Sequence, residues 1–259
     1  MASEENELET ALRLAADDPA HRPEFERLLL ESKILVLGAS DPSVGNDGVL
    51  RAGSKLDLTH WQEEGKPILP FFTSVAALQR GIAEDAAYIK LDARALFEFT
   101  RGATLRLNGG SDYGRYFLPP EIDSLLAKGS FSRPETRALD RATEVRLATV
   151  KNPPERLLAA LTRLFEKTAD VRTAHLALIL WGGKAKPVLL LGIEVDGPFD
   201  RISADTWTVA AAYMSQGEPI EIIQIGPGKD GASGYFNRRG QPFYKRSLWR
   251  SLFGRIGRA

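Results

Sequence analysis

The chain has 259 residues, its formal net charge at pH 7 is zero, and 43% of its residues are hydrophobic while 26% are charged. This composition is typical of a globular protein, and since no apolar run approaches the ~20 residues that span a bilayer, we expect no membrane-spanning helix. The absence of cysteine excludes disulfides, thiolate catalysis and cysteine-ligated metal sites.

The two ends of the sequence carry opposite charges. Residues 1–32 hold nine acidic and three basic side chains, whereas residues 238–259 hold seven basic and no acidic ones. Contact between the termini, pairing of subunits and attraction of an anionic partner all remain open, although two solvated charged faces are the commoner situation. The acidic N-terminus lacks the basic start and apolar segment of a secretory signal, so we expect a cytoplasmic protein.

The first half of the sequence alternates predicted helices and strands. Apolar residues at helical spacing predict helices over residues 6–16, from Pro23, over 75–82, over 93–100 and from Pro119. Short apolar runs predict strands over residues 33–37, 55–58, 68–72, 87–91, 104–108 and 113–118, of which the last two form a hairpin. A turn is predicted over residues 65–67. Residues 38–53 are predicted to be a mobile insertion, because they lack the spacing of a P-loop.

Residues 66–82 give the firmest structural prediction. An apolar strand over residues 68–72 passes directly into Thr73 and Ser74, whose hydroxyls are suited to cap a helix. Val75, Leu78 and Ile82 then recur at helical spacing. We therefore expect Phe71 and Phe72 to belong to a core.

The second half of the sequence predicts a separate domain. Residues 128–140 are polar and lose apolar periodicity, which places the boundary between residues 135 and 136. Beyond it we predict an amphipathic helix after Pro154, an antiparallel hairpin of residues 175–181 and 188–195, and further elements. The further elements are two strands, over residues 145–150 and 219–225, and two helices, over residues 203–214 and 247–256. The predicted fold class is α+β, with two mixed α/β domains, residues 1–135 and 136–259, built from small, partly antiparallel sheets and flanking helices.

Four stretches of this sequence together resemble one protein family. They are NELETALRLAADDPAHRPEFERLLLES, KPILPFFTSVAALQRGI, LLLGIEVDG and PFY. The chain resembles the SseB family, the bacterial "enhanced serine sensitivity" proteins, nearly from end to end. The resemblance implies an N-terminal and a C-terminal SseB domain, and it brings no catalytic residues. A sulfurtransferase shares the phenotype name, but its chemistry depends on a cysteine that this chain lacks.

The remaining polar motifs favour structural interpretations. His21, His60 and His175 are far apart, and no G-x-S-x-G elbow accompanies them, so we expect structural histidines. The spacing of Asp57 and His60 indicates capping or surface contact rather than a metal site. The glycine-rich residues 226–234 match neither a dinucleotide fingerprint nor a Walker A motif, and we predict a turn or mobile loop rather than an anion site.

The basic C-terminal tail is the candidate interaction surface. The candidate residues are Arg238, Arg239, Tyr244, Lys245, Arg246, Trp249, Arg250, Phe253 and Arg255. We favour docking of the predicted tail helix on its own domain over its use as a binding site for a partner, because apolar residues at helical spacing usually face a core. Contact with nucleic acid is disfavoured by the balanced net charge, and contact with a membrane by the small apolar area.

The sequence therefore predicts a cytoplasmic, non-enzymatic protein that acts through contacts with a protein partner or a second copy of itself. We predict no catalytic residue, no cofactor and no metal. One alternative is a small-molecule binding or regulatory protein linked to serine or amino-acid metabolism, which only the family's name suggests. A second alternative is nucleic-acid contact through the basic tail.

Overall fold

The computed structural model describes residues 5–40, 56–127, 145–181, 186–214, 220–228 and 231–247. The chain divides into two compact units, Met1–Ser132 and Arg133–Ala259. Each unit combines a mixed sheet with helices, which confirms the α+β fold class. The predicted boundary after residue 135 falls within residues 128–144, outside the described residues, so its position stays a prediction.

The N-terminal unit closely follows the predicted order of elements. Its helices are α1 (Glu7–Asp17), α2 (Arg22–Glu31), α3 (Val75–Gly81), α4 (Ala93–Phe99) and α5 (Pro119–Ala127), and a 3-10 turn covers Pro19–His21. Its strands are β1 (Lys33–Ser40), β2 (Leu56–Leu58), β3 (Trp61–Glu63), β4 (Lys66–Phe72), β5 (Tyr88–Asp92), β6 (Thr104–Leu107) and β7 (Arg115–Phe117). The first three residues of the predicted insertion over residues 38–53 belong instead to β1, and the others lie outside the described residues.

The predicted turn over residues 65–67 is corrected to a tighter hairpin between β3 and β4. β3 pairs antiparallel with β4, and the turn consists of Glu64 and Gly65, whose φ angles are 51° and 75°. A two-residue turn in which both φ angles are positive matches the right-handed twist of the flanking strands. Lys66 and Pro67 therefore belong to β4, and β3 is a strand that the sequence does not predict.

In the sheet of the N-terminal unit, two neighbouring parallel strands end side by side. Its order is β2-β1-β4-β6-β7, with β3 added to β4 and β5 added to β1. β4 and β6 run parallel, while β6 and β7 form the predicted antiparallel hairpin. Thr73 and Asn108, which follow β4 and β6, consequently lie close together.

Aromatic rings form the core on both faces of this sheet. On one face, Phe71, Phe97 and Phe117 pack with ring centroids 5.5 to 5.8 Å apart. On the other, Phe72 packs against Trp61 at 6.0 Å. Phe71 and Phe72 are fully buried, as the sequence predicts, whereas Val75 on the predicted apolar face of the helix is 44% exposed.

The C-terminal unit is a second sheet with helices against it. Its helices are α6 (Glu155–Lys167), α7 (Phe199–Ala210) and α8 (Gly231–Arg239). Its strands are β8 (Val145–Ala148), β9 (Val171–Trp181), β10 (Val188–Val195), β11 (Ile220–Ile225) and β12 (Tyr244–Lys245). The order is β11-β10-β9-β12, with β8 also paired to β9. β9 and β10 form the predicted antiparallel hairpin, and β11 runs parallel to β10.

Three predictions for this unit need correction. Helix α8 begins at Gly231, where the sequence predicts a turn or mobile loop, because Ala232, Tyr235 and Phe236 recur at helical spacing and pack on the sheet. The helix predicted over residues 203–214 begins earlier, at Phe199, and ends at Ala210. Strand β12 lies in the tail, for which the sequence predicts no strand. The helix predicted over residues 247–256 lies almost entirely outside the described residues.

Candidate interaction surface of the C-terminal segment

The C-terminal segment, residues 240–247, lies along one side of β9. β12 pairs antiparallel with β9. The backbone N–H of Phe243 donates to the carbonyl of Ala174 at 2.9 Å, and that of Arg246 donates to the carbonyl of Arg172 at 2.8 Å. The segment is therefore a short added strand of the second sheet.

Tyr244 fixes this segment to the core. Its side chain is only 8% exposed, and its hydroxyl donates to the backbone carbonyl of Phe165 at 3.0 Å. The rings of Tyr244 and Phe165 are 5.5 Å apart, and the ring of Phe243 lies 6.3 Å from that of Phe165. Tyr244 thus packs inside the domain, because its hydroxyl finds a partner at the end of α6.

Ion pairs hold the end of the segment. Arg246 donates to Asp196 Oδ2 at 2.7 Å, and Arg172 Nε lies 2.5 Å from Asp196 Oδ1. Arg246 also donates to the carbonyl of Ala169, and Arg172 lies 3.7 Å from Glu194. The hydrogen bond from Arg246 lowers the pKa of Asp196, burial opposes this, and Arg172 adds to the lowering. We call this group of Arg172, Glu194, Asp196 and Arg246 the charge clasp.

The structure places the candidate residues in different surroundings. Lys245 is exposed, Arg246 is half-buried in the charge clasp, and Tyr244 is buried. Arg238 is exposed near the end of α8, and Arg239 is the last residue of that helix. The four others, Trp249, Arg250, Phe253 and Arg255, lie outside the described residues. The interaction surface as a whole therefore stays a prediction.

Side chains of α8 form hydrogen bonds with the backbone of the glycine-rich loop that precedes this helix. The backbone N–H of Gly226 donates to Ser233 Oγ at 3.2 Å. Asn237 Nδ2 donates to the carbonyls of Gly226 and Gly228 at 3.1 and 2.8 Å. These polar side chains of α8 are thus bonded to the loop itself.

A second polar cluster, which sequence analysis misses, lies where β4 and β6 end. We call it the Glu9 cluster, after the carboxylate at its centre. Glu9 Oε1 accepts hydrogen bonds from the hydroxyls of Thr73 and Ser74, each at 2.7 Å. Glu9 Oε2 accepts from the backbone N–H of Asn6 at 3.1 Å, while Asn6 Oδ1 accepts from the N–H of Glu9 at 2.8 Å. The cluster joins the first turn of α1 to the start of α3.

Asn108 completes the Glu9 cluster from the end of β6. Its side chain is 3% exposed, its Oδ1 accepts from the backbone N–H of Thr73 at 2.9 Å, and its Nδ2 donates to Thr73 Oγ1 at 3.0 Å. Its φ angle of 47° lies in the left-handed region, which asparagine tolerates better than most residues. The backbone N–H of Asn108 also donates to the carbonyl of Phe71 at 2.9 Å. The two parallel strand ends are therefore bonded through both backbone and side chain.

The hydrogen bonds of the Glu9 cluster favour the ionised carboxylate. Burial raises the pKa of Glu9, but the donors Ser74, Thr73 and Asn6, together with the positive charge of Arg80, outweigh this, and the net pKa is lowered. The spacing of Asn6 and Glu9 is a capping-box signal that can be read from the sequence. The bonds to Thr73 and Ser74 span 64 and 65 residues, and no local pattern predicts them.

The histidines lie in unrelated surroundings. His21 Nδ1 lies 3.9 Å from Glu24, His60 Nδ1 lies 3.1 Å from the carbonyl of Leu58, and His175 is buried in the second unit. In the part of the chain that the structure describes, no group of three or more His, Cys, Asp or Glu side chains is arranged to hold a metal ion. Helices long and apolar enough to cross a membrane are likewise absent from the described residues.

Comparison with known proteins identifies relatives over most of the chain. Residues 8–124 match the family model described as SseB protein N-terminal domain, and residues 139–246 match SseB protein C-terminal domain. The chain is similar to Protein SseB of Escherichia coli (strain K12) and to Protein SseB of Shigella flexneri. Each is 38% identical over 249 residues, which cover 95% of this chain and 94% of the relative. A comparison with solved structures finds no match.

Proposed function

Because this chain belongs to the SseB family and its C-terminal segment is anchored to a sheet, we propose that it is a cytoplasmic, non-enzymatic protein that acts through protein contacts. The contact surface begins at the C-terminal segment and continues into the basic tail. Its partner is another protein or a second copy of this chain.

The observation that carries this proposal is the anchoring of residues 240–247. The hydroxyl of Tyr244 and the charge clasp hold the segment against β9 while leaving Lys245 exposed. An anchored backbone loses less conformational entropy on binding than a free one. The sequence that follows carries Trp249, Arg250 and Phe253, and tryptophan and arginine are enriched among the residues that dominate interface energies.

The charge clasp also supports a protein partner over nucleic acid. Arg246 is paired with Asp196, so it contributes little positive charge to the surface. A nucleic-acid contact depends on unpaired cations and weakens steeply with salt. We expect partner binding that weakens less with rising salt concentration than a nucleic-acid contact would.

The test compares the full chain with a chain ending at Ser247 and with the variants Trp249→Ala and Phe253→Ala. Partners are captured from cell extract and quantified by mass spectrometry, and light scattering measures self-association of the purified chain. Loss of an interface residue that contributes about 2 kcal/mol weakens binding about 30-fold. The matched control is Phe99→Ala, which removes a ring that is 64% exposed in the N-terminal unit.

Two results would contradict the proposal. One is an unchanged partner set and an unchanged mass for the chain ending at Ser247. The other is turnover of a metabolite by the purified protein that a single polar substitution abolishes.

A second candidate function is binding of an amino acid or a related small molecule. A groove between α1 and α2 has a volume of about 300 Å³, and three carboxylates line it together with apolar side chains. Glu7 and Glu24 are suited to an ammonium group, whereas Glu5 is already paired with Arg13. The test is thermal unfolding with serine and related amino acids, in which Glu7→Gln abolishes any stabilisation. A flat response across the set would remove this candidate.

A further inference from the structure

A buried histidine lies at the centre of the second sheet. His175 on β9 is 7% exposed, and its ring centroid is 5.2 Å from that of Phe236 on α8. Nδ1 of His175 is the one buried side-chain nitrogen or oxygen atom among the described residues that has no hydrogen-bond partner. Such groups are rare in native proteins and call for an explanation.

The surroundings of His175 leave no space for a further side chain. His175 pairs with Gly192 on β10, and a Cβ at residue 192 would lie 2.6 Å from the ring of Phe236. A Cβ at Gly240 would lie 3.0 Å from the ring of Phe236 and 3.1 Å from His175 Nδ1. Helix α8 and the start of the C-terminal segment therefore cover the imidazole directly.

Few charged groups face this imidazole. Burial lowers the pKa of His175, although the backbone of Gly240 and the negative charge of Glu194 act in the opposite direction. Glu194 is already engaged by Thr173 Oγ1 at 3.1 Å and by Arg172. The other charged groups on the elements around the ring are Arg238 and Arg239 of α8 and Lys245 of β12, and all three are positive.

We propose that His175 is an acid-sensitive latch, whose neutral ring holds α8 and the C-terminal segment against the sheet and whose protonation releases them. A proton on Nδ1 places a positive charge beside the ring of Phe236, where the backbone of Gly240 and the charge of Glu194 offset the cost of burial only in part. Separation of α8 from β9 and β10 exposes the imidazolium to water. The latch acts on the segment at which the proposed contact surface begins, but it does not require that those protein contacts exist.

The direction of the pH dependence follows from linkage. A histidine in an opened segment has an ordinary pKa of about 6.5, whereas closure lowers the pKa of His175. The opened form therefore binds the proton more tightly, and its population grows as the pH falls below about 6.5. About one pH unit below that value, the opening equilibrium is larger than at neutral pH, and the ordinary pKa of the opened form limits the increase to at most about tenfold.

Hydrogen exchange of the full chain tests the latch. Amide exchange of α8, corrected for the intrinsic rate at each pH, gives its opening equilibrium at about pH 7.5 and about pH 5.5. We expect an increase of more than about twofold and at most about tenfold in α8, and a smaller one in α6. The variants His175→Gln and His175→Phe should change less than about twofold. The matched controls His21→Gln and His60→Gln should retain the full increase.

Each contrary outcome overturns the latch. Constant protection of α8 across this pH range would show that protonation does not release it. An equal increase in α6 would indicate unfolding of the whole unit rather than release of α8. An undiminished increase in a folded His175 variant would assign the pH dependence to another group. The comparison of α8 with α6 needs only the natural chain, so a lack of selective release of α8 overturns the latch even where a variant does not fold.

Discussion

Replacement of Glu9 measures how firmly α1 is fixed to the end of the first sheet. The carboxylate accepts hydrogen bonds from Thr73 and Ser74 at 2.7 Å and from the backbone of Asn6 at 3.1 Å. A hydrogen bond to a charged group contributes about 1.5 to 3 kcal/mol. Glu9 is partly exposed, and the Thr73 hydroxyl keeps a second acceptor in Asn108 at 3.2 Å. We therefore expect Glu9→Ala to lower the free energy of unfolding by about 2 to 4 kcal/mol.

Two further variants separate the charge of Glu9 from its hydrogen bonds. Glu9→Gln keeps one oxygen for the two hydroxyls and loses the charge, so we expect a smaller loss of about 1 to 2 kcal/mol. The matched control is Glu5→Gln beside the same helix. Glu5 forms an exposed ion pair with Arg13 at 3.3 Å, and its replacement should cost less than about 0.5 kcal/mol. Urea unfolding followed by circular dichroism gives all three values.

The pH dependence provides an independent check on Glu9. Folding lowers its pKa, so its stabilising contribution is complete above about pH 4.3, the unfolded value, and disappears as the pH falls through the folded value. The difference in stability between the natural chain and Glu9→Gln should therefore shrink in acid. A difference that stays constant from about pH 6 to about pH 3, or a Glu9→Ala loss no larger than that of the Glu5 control, would refute this reasoning.

Three further substitutions test packing and hydrogen bonding, each by urea unfolding. Phe71→Ala should lower the free energy of unfolding by about 3 to 5 kcal/mol because the ring is fully buried. Its control, Phe99→Ala, removes a ring that is 64% exposed and should change stability by less than about 0.5 kcal/mol. Equal losses for the two variants would contradict this prediction. Gly192→Ala should cost about 1 to 3 kcal/mol because its Cβ would lie 2.6 Å from an aromatic ring of α8. Gly226→Ala should be neutral because no atom lies within 4 Å of its added Cβ. Tyr244→Phe should cost about 1 kcal/mol through its lost hydrogen bond to α6, and an unchanged midpoint would show that this bond adds no stability.

Local sequence signals were sufficient for most of the fold. Asn6 and Ser74 cap α1 and α3 because each side chain accepts a hydrogen bond from a backbone N–H three residues ahead. The strands over residues 104–108 and 175–181 were predictable for a similar reason, since a short apolar run followed by a turn indicates a hairpin. Such signals act between neighbours in the chain, and a short window of sequence contains them.

The sequence was less informative about α8 and the tail. The glycines over residues 226–234 indicated a loop, yet α8 begins among them, because packing of Phe236 over Gly192 stabilises a helix of weak propensity. The arginines around Tyr244 indicated a surface, yet its ring is buried, because its hydroxyl reaches a carbonyl 79 residues away. In both places a tertiary contact outweighed the local pattern.

The sequence by itself therefore determined the family resemblance, the α+β class, most of the helices and strands, and the opposite charges of the two ends. Only the tertiary structure decided which polar groups meet. The bond between Glu9 and Thr73 depends on the parallel pairing of β4 and β6, and the burial of His175 depends on α8 crossing Gly192. Hydrogen bonds and packing act over a few ångströms, so residues distant in sequence interact only after the sheets bring them together.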